Sequence, residues 1–368
     1  MNVAKRLLRY FLAAVFLFSG LVKLNDPIGT KIKLEEYFEV FSVDMSALAE
    51  FWTALLPYTL IFSIALSSLE VIIASALITQ YRIKTSLKIT IGLLIFFGFL
   101  TFYSAYFNKV TDCGCFGEAI KLSPWTSFTK DMILLLATGI LLLLQKNTTQ
   151  NPSGFWIFGT ACLSIIFGIL SYLYLPVWDS LPYAVGQNIE KNMKLREPLE
   201  FEYVYEIEGK VVTVDAIPAD VNAKFISMKA VNEYRAKALI TDYRIWEDST
   251  QEDFTAKSFL GTKLFIVIPD FKEARKSGLT KFWKSIPEIT KAYVEPWIIT
   301  ASPVKEIKNS LKLINLNVPI LSADAKVLKT MVRSNPGFVL VKNGTVIGKW
   351  SGFSPPTTEN IIEKFNAE

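Results

Sequence analysis

The sequence predicts an α-helical membrane bundle followed by an extracytoplasmic α/β domain. Three observations predict it. Half of the 368 residues are apolar (51%), and they gather at the front in five runs, each near the ~20 residues a bilayer needs. Lys and Arg fall on alternate sides of those runs. After Pro176, short strand-like runs alternate with amphipathic segments.

The five runs are Leu7–Leu24, Leu55–Thr79, Leu87–Phe107, Phe128–Leu144 and Phe155–Leu175. The first has the length of a secretory signal, but Lys23-Leu24-Asn25-Asp26-Pro27 offers no small-residue cleavage site, and more spans follow. Lys5, Arg6 and Arg9 precede the first run, Arg82, Lys84 and Lys88 separate the second from the third, and Lys146 follows the fourth. The positive-inside rule puts these on the cytoplasmic side of an inner or plasma membrane. The N-terminus is then cytoplasmic, and the 25–54 and 108–127 connections and the whole C-terminal part are outside. In the first of these connections, 32–41 carries apolar residues at helical spacing opposite acids. It predicts an interfacial helix burying Tyr37, Phe38 and Phe41.

The net charge of +5 is small for this length, and no basic tract with interleaved aromatics suggests nucleic acid. The chain has no histidine and three cysteines. That excludes Ser-His and Cys-His pairs, His-ligated haem and most metal cages. Cys113 and Cys115 stand in Asp112-Cys113-Gly114-Cys115-Phe116-Gly117, between the third and fourth runs. Cα atoms two residues apart lie roughly 5.5–7 Å from each other in an extended or turning loop, within reach of a strained bridge. Such bridges exchange readily, and an outer compartment lets them persist. A static staple, or two unpaired residues in a glycine turn, fits the same spacing. Cys162 lies inside the fifth run, where packing is the simpler role.

Two ionisable residues lie inside or at the end of spans. Glu70 is deep in the second, where a carboxylate costs about 3 kcal/mol and usually faces the bundle interior. It can relay a proton, hydrogen-bond a quinone-like cofactor, or serve as a buried structural group near Ser67 and Ser68. Lys23, near the outer end of the first span, can snorkel to the interface or point inward.

Arg9-Tyr10-Phe11-Leu12 through Phe18-Ser19-Gly20-Leu21-Val22-Lys23-Leu24, followed by Asp26-Pro27, resembles the opening helix of DoxX-like membrane proteins. Glu70 in Leu69-Glu70-Val71 is similar to the acid of their second helix. The Cys113–Cys115 loop is similar to that of the MauE branch, the methylamine-utilisation membrane proteins. The resemblance covers about residues 1–145. It implies a four-helix bundle associated with disulfide or other redox maturation, with membrane lipids and an extracytoplasmic client or redox partner around it. The fifth span departs from the four-helix pattern and returns the chain to the outside.

Beyond the fifth span and a connector (146–198), a mixed segment (199–257) holds a hairpin around Glu208-Gly209. Residues 258–368 then run strand 263–268, helix 272–292, strand 296–301, helix 304–315, and a hairpin at Asn343-Gly344 before a last helix from Thr357. This order resembles a thioredoxin fold. Asn335-Pro336-Gly337-Phe338 is similar to the turn that holds its cis-proline, which assigns that role to Pro336. The family expects Cys-X-X-Cys after the first central strand. Pro269-Asp270-Phe271-Lys272 stands there instead, so the resemblance implies a docking domain without thiol chemistry of its own. Together these readings point to a thiol–disulfide partner acting through Cys113 and Cys115. A non-enzymatic scaffold with a structural cysteine loop is the alternative, and transport through the bundle would rest on Lys23 and Glu70 alone.

Overall fold

The computed structural model describes residues 2–110, 122–145, 154–207, 209–218, 223–312 and 318–367. Two compact units divide the chain, Met1–Leu181 with Trp350–Ser354, and Pro182–Lys349 with Pro355–Glu368.

The first unit contains α1 (Asn2–Asn25), α2 (Pro27–Asp44), α3 (Ala49–Leu55), α4 (Thr59–Thr79), α5 (Ile83–Phe107), α6 (Pro124–Leu144) and α7 (Phe155–Tyr174). The five helices α1, α4, α5, α6 and α7 are long and apolar enough to cross a membrane. A helix satisfies its own backbone groups, which hydrocarbon cannot do for it. Local chemistry sets the ends. The Asp26 side chain accepts from the Gly29 N–H at 2.8 Å, and Pro27 occupies the first helical position of α2, where a missing N–H costs nothing. Ser123 and Pro124 repeat the device at α6, which therefore begins at Pro124 and not at Phe128. Gln80 and Asn108 end α4 and α5 in the left-handed region, at φ 60° and 52°.

α1 packs along α4, and α5 along α6. Leu12, Phe16, Leu77, Leu87, Leu94 and Leu141 form the core between them. α7 lies against α4 and α1. The hydroxyls of Ser75 and Thr160 meet at 3.1 Å across the α4–α7 contact. Cys162, on α7, is a half-buried free thiol.

α2 extends the expected interfacial helix at both ends and buries Leu34 with Tyr37, Phe38 and Phe41. It is held at each end. The Ser63 hydroxyl donates to the Pro27 carbonyl at 2.7 Å. At the other end, the Asp44 carboxylate accepts from the Tyr103 hydroxyl and pairs with Lys109 at 2.5 and 2.6 Å. Between these ties, the Phe41 ring sits 5.0 Å from Trp52 and 4.9 Å from Tyr103, the latter edge-to-face.

The second unit begins with the segment read above as a connector. α8 (Ile189–Asn192) has a fully buried Ile189, whose N–H donates to the Gly344 carbonyl at 2.8 Å. The segment is therefore part of this unit's core. β1 (Phe201–Ile207), β2 (Lys210–Val214) and β3 (Lys224–Ala230) form an antiparallel sheet in the order β2-β1-β3. The hairpin falls as expected, with Gly209 at φ 75°.

After α9 (Glu233–Ala236) and β4 (Ile245–Trp246), the chain builds a six-stranded sheet. Its other strands are β5 (Thr262–Ile268), β6 (Glu295–Thr300), β7 (Ile320–Ala323), β8 (Gly337–Lys342) and β9 (Thr345–Ser351), in the order β4-β7-β6-β5-β8-β9. β5, β6 and β7 are parallel, while β8 runs antiparallel to β5. Every residue of β5 is buried, as its unbroken apolar run requires of a central strand. The single helix expected over 272–292 is two helices, α10 (Lys276–Trp283) and α11 (Ile286–Lys291). Pro287 lacks an N–H for a continuous ladder and sits in the first turn of the second. α12 (Val304–Lys312), α13 (Ala325–Met331) and α14 (Thr358–Asn366) complete the unit. α14 opens with a reciprocal Thr357–Asn360 capping box.

Candidate functional site

The bundle is not solid. A cavity lies among α1, α2, α4, α5 and α6. Leu66, Leu94, Leu100, Leu134 and Phe97 make its apolar walls. Among the described residues two charged clusters interrupt them.

The first joins Lys23 to Glu70. Gly20 permits it. A Cβ at Gly20 would lie 2.7 Å from Val71 Cγ2 and 2.9 Å from the Ser67 carbonyl oxygen, so only glycine lets α1 approach α4 this closely. One turn further along α1, Lys23 Nζ donates to Glu70 Oε1; both side chains are almost fully buried, 7% and 2% exposed. The Lys23 ammonium also lies 4.7 Å from the Phe97 ring centroid, where the face of the ring favours a cation. Glu70 Oε2 is buried with no hydrogen-bond partner among the described residues. Lys23 thus points into the bundle, and the two residues singled out separately in the sequence form one site.

The second cluster centres on Asp131, which is 1% exposed. Asp131 accepts from the Thr101 hydroxyl at 3.2 Å and pairs with Lys130 at 2.8 Å. The sequence alone does not single these residues out. The signal was the one that exposed Glu70, a carboxylate inside an apolar run, but beside Lys130 it passes for the polar start of a span. The Thr30 hydroxyl, on α2, lines the same cavity and is also buried without a partner among the described residues.

Cys113 and Cys115 lie outside the described residues. The residues leading to them are held by α2 and α5. The Ser104 hydroxyl donates to the Val110 carbonyl, and Lys109 is bound to Asp44. The Lys109 ammonium, and after it the Tyr103 hydroxyl, hold the Asp44 carboxyl below the usual carboxylate range. Pro336 belongs to the other unit. The Asn335–Pro336 bond is cis, and the Asn335 amide donates to the Asp270 carbonyl at 2.6 Å. That contact brings the Pro336 turn beside the segment after β5.

Five apolar spans and a bundle with a charged interior define an integral membrane protein. Residues 1–144 match the family model of the methylamine utilisation protein MauE, so this part is a MauE-like membrane protein. No curated protein and no solved structure matches the chain.

Proposed function

We propose that the chain is a redox partner in the membrane, exchanging a disulfide through Cys113 and Cys115 on the extracytoplasmic side. The observation that carries this reading is the position of the pair within a MauE-like region, in the connection between α5 and α6, immediately after residues tied to α2. In the exchange, a thiolate attacks one sulfur of a client disulfide. The client S–S bond breaks, one client sulfur leaves as a thiolate and the other is held in a mixed disulfide. The second cysteine then displaces it, so two electrons with two protons pass from the Cys113–Cys115 dithiol to the client disulfide. In this reading the N-terminus is cytoplasmic and the C-terminal unit extracytoplasmic, an orientation that the Lys and Arg distribution supports.

The second unit serves as a thioredoxin-like docking domain for the client. The parallel β6-β5 pair, the following β8-β9 hairpin and the cis bond before Pro336 support that reading. With Asp270 and Phe271 after β5, it docks without exchanging thiols.

Single Cys113→Ser and Cys115→Ser chains should trap a client as a mixed disulfide, detected on non-reducing gels. A pair that stays reduced in oxidising glutathione buffer would refute the exchange. A second reading, a scaffold with a structural cysteine loop, draws on the absence of cysteine after Cys162. It takes over if the double serine chain keeps full function.

A further inference from the structure

We infer that the bundle cavity is a binding site for a neutral aromatic diol, whose hydroxyl donates to Glu70 Oε2. Four features lead there. Glu70 is 1% exposed, lines the cavity and has one carboxylate oxygen without a hydrogen-bond partner among the described residues. An ionised carboxylate only accepts, so its complement is a donor. The Thr30 hydroxyl, equally buried and unpartnered, supplies a second polar contact on the same cavity. Among the described residues every charge on the walls has an opposite: Lys23 with Glu70, Lys130 with Asp131, and Lys33 with Glu36 at 3.0 Å. A charged ligand would bring in an uncompensated ion, which a site of this burial disfavours. A neutral one has no such cost. The remaining surface, with Phe97 and leucines from α4, α5 and α6, suits an apolar ring.

This site goes beyond the thiol chemistry proposed above and does not need it, so the two can fail separately. The test uses the full chain in lipid nanodiscs and two probes, 4-hexylresorcinol and its dimethyl ether. The ether is at least as apolar but cannot donate. The diol should bind saturably and the ether roughly tenfold or more weakly, as expected for losing a hydrogen bond to a charged group. Thr30→Val should weaken the diol several-fold, and Leu66→Trp, which fills the cavity, should abolish saturable binding at an unchanged unfolding temperature. The Cys113→Ser/Cys115→Ser chain should bind as the wild type does. Equal binding of diol and ether, no saturable binding at all, or wild-type binding by Leu66→Trp would overturn the site. Lost exchange with retained diol binding would overturn only the thiol reading.

Discussion

Lys23 on α1 and Glu70 on α4 form an ion pair inside the bundle beside the cavity that Glu70 lines, and the second Glu70 oxygen is buried with no hydrogen-bond partner among the described residues. Breaking such a pair is costly because it strands the other charge. Removing both charges is much less so. Lys23→Met or Glu70→Leu alone should destabilise the bundle by about 3–5 kcal/mol, and the double variant by clearly less than either. Thermal unfolding in detergent checks this cycle. Additive losses would mean that the two side chains do not share one interaction.

Gly20 sets the distance at which that pair forms. Gly20→Val should force α1 away from α4, because its side chain meets Val71 and the Ser67 carbonyl. Overpacking of this kind costs about 1–3 kcal/mol. Gly159 has nothing within 4 Å of its would-be Cβ. Gly159→Ala, inside α7, should therefore cause no loss of stability and, by helix propensity, a small gain, a contrast measurable in one series.

Acid should loosen the end of α2. Asp44, which precedes the second span, has a folded-state pKa below its ordinary 3.8, mainly through Lys109 and then Tyr103. Stability from this group is complete above the unfolded value and is lost as pH falls through the lower folded one. Between pH 5 and pH 2 the wild type should lose stability that Asp44→Asn never had. A parallel pH profile for the two would remove Asp44 as a contributor.

Residues 182–368 should fold without the membrane and show no insulin-reducing activity, since they contain no cysteine. A fragment starting at 200 should be markedly less stable. It lacks Ile189 and Tyr183, both buried, the latter with its ring 6.2 Å from Tyr243. Circular dichroism melts of the two fragments decide the boundary, and equal melts would place the segment outside the core.

Elements with a local cause were legible. The spans follow from run length, and both hairpins fall where Gly209 and Asn343-Gly344 turn, all three at positive φ. What could not be read has a non-local cause. β3 is exposed along most of its length and is a strand because it pairs with β1, far back in the chain. β7 has four residues, too few for a periodic signal. Lys23 and Glu70 were each visible as anomalies, but their union depends on Gly20 bringing two helices together. Asp131 and Thr101 were hidden because their meaning arises only where α5 meets α6.

The Lys23–Glu70 pair also bears on biogenesis. The two partners are 47 positions apart, so α1 is made before α4 is complete. A lysine near the end of a span can hold its ammonium at the headgroup layer until its partner arrives. Glu70, deeper in its helix, has no such refuge and enters hydrocarbon at a cost of about 3 kcal/mol. Pairing with Lys23 offsets part of that cost, and the two meet only in the register at which α1 packs along α4. A charge that hinders the insertion of one helix thus becomes the mark by which two helices find their register during synthesis.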